Sequence, residues 1–280
     1  MRKVNVDNIV TAVRDLCVET NIVADADVVE ALKKGLEQEK SPVAKEVLKT
    51  LLENARIAKE ENLPICQDTG MTIVFLEIGQ EVQLTGGDLE EAVNRGVRQG
   101  YEEGYLRKSV VGHPIKRGNT GDNTPAIIHT RIVPGDRVKI TVAPKGFGSE
   151  NMSFVKMLKP TQGYEGVKNF VVECVKAAGG NPCPPIVVGV GVGGTFEKAA
   201  MMAKEALTRP LGQKSREEDI AMLEEELLEE INKTGIGPQG LGGKTTALAV
   251  HINTFPTHIA GMPVAVNICC HAYRHGVTTV

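Results

Sequence analysis

The chain of 280 residues contains no tryptophan, four tyrosines and six phenylalanines. With so few rings the core has to be aliphatic, and the surface offers little on which bases stack. A surplus of positive charge is also missing: 32 Lys and Arg against 35 Asp and Glu leave a formal charge of -3, which excludes a basic nucleic-acid binder. No apolar run approaches the about 18 residues that cross a bilayer, so no membrane association is expected. The opening MRKVNVDNIV has neither the apolar segment nor the small-residue cleavage site of a secretory signal, which points to a cytoplasmic protein. Six cysteines are present without a CxxC pair, so their spacing carries no zinc or ferredoxin signature.

What is present is an ordinary globular composition, 41% apolar and 24% charged. Val6, Ile9, Val10, Val13 and Leu16 share one helical face, and Ser41-Pro42 reads as an N-cap with proline at N1, so the first 60 residues read as helices. After Asn62 a polar turn leads into a β-branched strand from Met71 to Ile78, a helix over 88–103 is capped by Asp88, and 106–123 is a long loop. Strands Pro125 to Val133 and Arg137 to Val142 flank Pro134-Gly135-Asp136 and are expected to form an antiparallel hairpin. A glycine-rich loop KGFGSENMS, a helix over 162–178 and a buried strand Pro185 to Val190 come next. Helices over 195–207 and 215–233, a strand from Thr246 to Asn253, the turn TFPTHIAGMP and a strand from Val264 to Cys269 close the chain. The expected fold class is mixed α+β in a single domain over 1–280, a helical subregion over 1–60 packed on a mixed-sheet core over 61–280.

Two motifs mislead. Gly189, Gly191 and Gly194 match GxGxxG between a strand and a helix, but a dinucleotide fold would return to a parallel strand about 30 residues on, whereas the next strand starts near 245. The favoured reading is a close-packed strand-to-helix turn. Gly243-Lys244-Thr245 resembles the end of a P-loop, yet Pro238 stands where the first glycine belongs and a strand follows, so that motif is rejected.

Cys17 and Cys174 lie inside apolar helical patterns and read as small buried thiols. Cys66, Cys183 and the pair Cys269-Cys270 stand instead in PICQDTG, GGNPCPP and NICCHAYRH, turn or strand-end sequences of the kind that present thiolate ligands. On the residues alone, a shared metal centre and ordinary buried cysteines both stay open. His113, His129 and His251 read as structural, whereas His258 sits in a proline-flanked turn twelve residues before Cys270, placing an imidazole and a thiolate at two ends of one short unit.

Taken together and in order, PICQDTG, KGFGSEN, NPCPP, GVGVGGTFEKA, GIGPQGLGGKTTAL, HINTFPTHIAGMPVAVN and CCHAYRH resemble the class I, iron-sulfur-dependent fumarate hydratases and their tartrate dehydratase relatives, from about residue 60 to the end. The length is similar to that of the family's alpha subunit or N-terminal domain. The resemblance implies a 4Fe-4S cluster on three cysteines, here Cys66, Cys183 and Cys270, with Cys270 chosen over Cys269 by the family's spacing. The fourth iron then lacks a protein ligand and is an open Lewis acid, which suits loss of a hydroxyl. It further implies that Gln67 and Asp68 reach the substrate, that Arg107 pairs with a carboxylate, and that Gly148 offers a backbone N–H. Asp68 and His258 would form the acid pair that handles the hydroxyl or water. Phe147 and Glu150 depart from the family's smaller, more neutral loop.

The activity implied is reversible hydration of fumarate to L-malate, a tricarboxylic acid cycle reaction, with L-tartrate dehydration as the alternative. A separate beta subunit is expected to bring the base for the C3 proton and further cations, in an α₂β₂ assembly built on a homodimer of alpha subunits. Outside this class, a non-catalytic iron-sulfur or redox-sensing protein and a nicotinamide-dependent dehydrogenase are the competing readings.

Overall fold

The computed structural model describes residues 1–280. Its elements in chain order are β1 (Arg2–Asn5), α1 (Val6–Ile22), α2 (Ala26–Gln38), α3 (Pro42–Glu61), β2 (Met71–Gly79), β3 (Val82–Thr85), α4 (Leu89–Glu103), β4 (Ile127–Val133), β5 (Val138–Lys145), α5 (Phe147–Glu150), β6 (Phe154–Leu158), α6 (Gly163–Ala178), β7 (Ile186–Gly193), α7 (Phe196–Ala206), α8 (Glu218–Asn232), β8 (Ala247–Phe255), β9 (Met262–Cys269) and β10 (Gly276–Thr279). Helices and mixed sheets give the expected α+β class. No helix is long and apolar enough to cross a membrane. The chain divides into two compact units, the first comprising 1–24, 57–147 and 274–280 and the second 25–56 and 148–273.

In the first unit the apolar face of α1, read from its spacing, is buried: Ile9, Val13, Leu16 and Cys17 pack with Val93, Val97 and Tyr101 of α4 and with β2 and β5. The two helices approach closely because Gly96 and Gly100 face α1, where an added Cβ would stand 2.7 and 2.8 Å from the carbonyls of Val10 and Arg14. Asp88 caps α4 as expected, its side chain accepting from the N–H of Glu91. The first residues depart from the all-helical expectation, since β1 pairs in parallel with β3 before Asn5 caps α1.

The expected hairpin of β4 and β5 does not form. The sheet order is β10-β5-β2-β4, with β4 parallel and β5 antiparallel to β2. The end of β2 runs between the two strands: the Gly79 N–H donates to Arg137 and the Gln80 N–H to Val133, so the Pro134-Gly135-Asp136 turn passes over β2 instead of joining neighbours. Turn chemistry fixed the reversal, but the partner of each strand was decided by a third strand from earlier in the chain.

The second unit holds a four-stranded sheet in the order β6-β9-β7-β8, with β7 parallel to β8 and antiparallel to β9. Alternate residues of β7 serve opposite faces. Val188 and Val190 join the core made with α6 and α8, while Val187 packs with Val28 and Leu32 of α2 and Leu48 of α3. Burial on both faces is why this strand is a continuous apolar run. An added Cβ on Gly189 or Gly191 would stand 2.2 or 2.1 Å from the α7 carbonyls of Ala203 and Ala199, so these glycines admit a helix and need no nucleotide to explain them. The P-loop look-alike is structural as well: the buried Glu39 carboxylate accepts from the N–H groups of Lys40, Ser41, Lys244 and Thr245, pinning the 243–245 turn.

Candidate functional site

The first unit builds a rigid loop around Cys66. The Tyr101 hydroxyl donates to the carbonyl of Thr69 at 2.6 Å and lies 3.1 Å from that of Gly70, which also accepts from Asn123 Nδ2 at 3.1 Å. Burial pushes the Tyr101 phenol above its ordinary range, so it stays a donor. Asn123 is fully buried, and its Oδ1 accepts from the N–H groups of Ser109 and Val110, fastening the long loop to the same point. The buried Thr69 hydroxyl donates to the carbonyl of Arg107 at 2.8 Å. Gly70 has φ +78°, and an added Cβ would stand 2.7 Å from the Lys145 backbone, so only glycine closes this turn against β5.

Within that loop the Cys66 sulfur accepts from the Asp68 N–H at 3.4 Å. Asp68 Oδ1 accepts from the Gly70 N–H at 3.0 Å and Oδ2 from the Phe147 N–H at 2.8 Å. The Gln67 and Arg107 side chains are exposed. The structure thus ties the loop carrying Cys66, Gln67 and Asp68 to the backbone of Arg107. Long loops built this way carry function on a fixed scaffold.

In the second unit Cys183 has φ +54° in the turn after α6 and is exposed. Its carbonyl accepts from the His271 N–H at 3.3 Å and lies 3.1 Å from His271 Nδ1, which sets Cys270 beside it in the fold. Gln239 fastens the same turn, donating through its backbone N–H at 2.7 Å and its side chain at 2.8 Å to the carbonyl of Pro184. Gly148 lies against this turn, the nearest atom to an added Cβ being the Asn181 carbonyl oxygen at 3.9 Å. Glu150, which departs from the family's loop, turns away to the Lys204 ammonium and accepts from Asn267 Nδ2 at 2.9 Å. That pair anchors the short helix α5, which contains Gly148.

His258 is exposed and is not brought to Cys270 within the chain. The eight residues of β9 lie between them and span about 26 Å at about 3.3 Å each. Its Nδ1 accepts from the Ala260 N–H at 3.2 Å, closing the turn locally. Three other histidines have structural surroundings: His129 stacks on Phe75, His251 is buried against the carbonyl of Ala206, and His113 accepts from the N–H groups of Ile115 and Lys116.

No disulfide joins any of the six cysteines. They fall into two classes. Cys17 and Cys174 are buried, and burial pushes both thiols up to about 12; Cys269 is buried in the core beside α2 and α3. Cys66, Cys183 and Cys270 are exposed or half-buried, the first two on turns whose backbone is held by side chains and the third just past the end of β9. No three His, Cys, Asp or Glu side chains are gathered into a metal site in the structure. The donors nonetheless fit an iron-sulfur cluster in kind: soft thiols at strand and helix ends, one already accepting an N–H. Sequence reading missed Tyr101, Asn123, Gln239 and His271, which do the fastening. Only the polar residue before Thr124-Pro125 and the glycines around Gln239 hinted at them.

A family model described as fumarate hydratase (Fumerase) matches residues 10–279. The match takes in the helical start that carried no motif. A Methanocaldococcus jannaschii chain provisionally named L(+)-tartrate dehydratase subunit alpha is 46% identical over 268 residues, covering 94% of each chain. The L(+)-tartrate dehydratase alpha subunits of Escherichia coli K12 and Shigella sonnei are each 35% identical over 257 residues, covering 91% of this chain and 84% of theirs. The match runs over nearly the whole chain and includes every motif around Cys66, Cys183 and Cys270, so the chain belongs to the fumarate hydratase family and is a hydro-lyase.

Proposed function

We propose that this chain is the alpha subunit of a 4Fe-4S hydro-lyase that adds water to, and removes it from, a four-carbon dicarboxylate. Cys66, Cys183 and Cys270 would hold the cluster. The observation that carries the reading is the fastened Cys66–Gly70 loop, which puts a thiol, an amide, a carboxylate and the backbone of Arg107 on one rigid support. When bound, such a cluster supplies an iron that polarises a hydroxyl as a Lewis acid.

The side chains divide the remaining work. Arg107 presents a planar fork suited to a substrate carboxylate. Gln67 orients the substrate beside the first thiol, and the Gly148 N–H donates to it. Asp68 carries the proton at the substrate hydroxyl oxygen: two backbone N–H groups fix its carboxylate, and one oxygen keeps a further lone pair for that proton. His258 serves as its partner in the assembled enzyme. The base for the C3 proton belongs to a beta subunit, in an α₂β₂ assembly, and a reducing cytoplasm suits the unlinked thiols.

The names of the relatives weigh toward L(+)-tartrate as substrate, and the family's description toward fumarate and L-malate. One assay separates them. The chain, produced anaerobically with its beta partner, is given L(+)-tartrate, L-malate and fumarate in turn. Turnover of at least one, abolished in Asp68→Asn, is expected; failure on all three overturns the reading.

A further inference from the structure

Arg274 lies in the CCHAYRH segment, and neither the implied ligand set nor the implied substrate contacts use it. It is 5% exposed. Its Nη2 donates to the main-chain carbonyl of Asp68, and its Nε donates to the carbonyl of Pro144 at 3.3 Å. The buried Nη1 has no partner, and the guanidinium makes no ion pair with a carboxylate. An added Cβ on Gly146 would stand 3.1 Å from Asp68 Oδ2 and 3.9 Å from Arg274 Nη2, so carboxylate and guanidinium share the same seat.

A buried cation bonded only to neutral carbonyls is a costly way to fill space. The geometry explains its presence. Nε and Nη2 lie on one edge of a rigid plane, and that edge spans the loop bearing Cys66 and Asp68 and the end of β5 at Pro144, which leads directly into Gly146 and the Phe147 N–H. The same Phe147 N–H holds Asp68 Oδ2, so fixing both segments to one plane fixes the carboxylate between them.

We infer that Arg274 is the positioning residue for Asp68, a guanidinium clamp that sets the carboxylate and the adjoining Cys66 thiol in register with the end of β5. Its kinetic consequence rests on the hydro-lyase reading, whereas the clamp itself does not. A lysine keeps the charge but offers one point where the clamp needs two coplanar donors.

The test uses the full chain with its beta partner as wild type, Arg274→Ala and Arg274→Lys. Hydrogen exchange, read on the cluster-free alpha chain by mass spectrometry, should quicken about tenfold or more in peptides covering 64–70 and 146–148, with peptides from β7 unchanged. In the loaded complex Arg274→Lys should lower kcat about tenfold or more with KM within about twofold, the pattern of a misplaced group that acts in the transition state. If Arg274→Ala fails to fold, Arg274→Lys decides alone. Wild-type exchange at 64–70 in Arg274→Lys overturns the clamp, whatever the activity. Loss of kcat without faster exchange also overturns it. A wild-type complex inactive on every dicarboxylate defeats the hydro-lyase reading and leaves the exchange result to decide the clamp.

Discussion

The Thr69 hydroxyl donates at 2.8 Å to the main-chain carbonyl of Arg107, so one bond couples the turn carrying Cys66 and Asp68 to the loop carrying Arg107. Replacing this buried donor by an isosteric methyl leaves the carbonyl unsatisfied. Thr69→Val should therefore cost about 1–3 kcal/mol of stability and raise KM more than it lowers kcat, because Arg107 loses its register. Thr69→Ser, which keeps the hydroxyl, should stay near wild type in both thermal melts and kinetics.

Glu39 gives the second unit a pH dependence of known sign. Burial pushes its carboxyl up, but four backbone N–H bonds outweigh burial and hold it below the ordinary carboxylate range. A folded value below the unfolded one contributes stability above the ordinary glutamate pKa of about 4.3 and loses it as pH falls through the folded value. Glu39→Gln should therefore be less stable than wild type at pH 7 by about 1–3 kcal/mol, and urea titrations should show the gap closing at pH 4 and below.

Thiol accessibility should sort the cysteines. Under anaerobic, native conditions, alkylation followed by peptide mapping should label Cys66, Cys183 and Cys270 first. Cys17 and Cys174, buried and raised to about 12, should be protected until the chain unfolds. Early labelling of either would contradict the assigned packing.

His258 should separate catalysis from cluster assembly. Because β9 stands between it and Cys270, His258→Asn should leave iron content at the wild-type level while lowering kcat by about 10²–10⁴-fold, the range for loss of a general acid or base. An accompanying loss of iron would mean that the turn supports the cluster site instead.

The helices and most strands were legible because their signals are local: the face of α1, the Asp88 cap, the apolar run of β7. What escaped was pairing. Nothing near Pro134-Gly135-Asp136 states that β2 will stand between β4 and β5, and β6, an exposed edge strand, has no alternation to reveal it. The site divides in the same way. Cys66, Asp68 and Arg107 could be named from motifs, but Tyr101, Asn123 and Arg274 act on backbone carbonyls from 31 to 206 residues away, and such bonds leave no mark on neighbouring residues.

The central claim is that three particular thiols hold the cluster, and anaerobic reconstitution with iron and sulfide tests it most directly. Iron and sulfide counting with EPR would be run on wild type, on Cys66→Ser, Cys183→Ser and Cys270→Ser, and on Cys17→Ser and Cys269→Ser as controls. About four irons per chain, lost in the first three variants and kept in the two controls, is the predicted result. No cluster in the wild type, or a cluster indifferent to Cys66, Cys183 and Cys270, would contradict it.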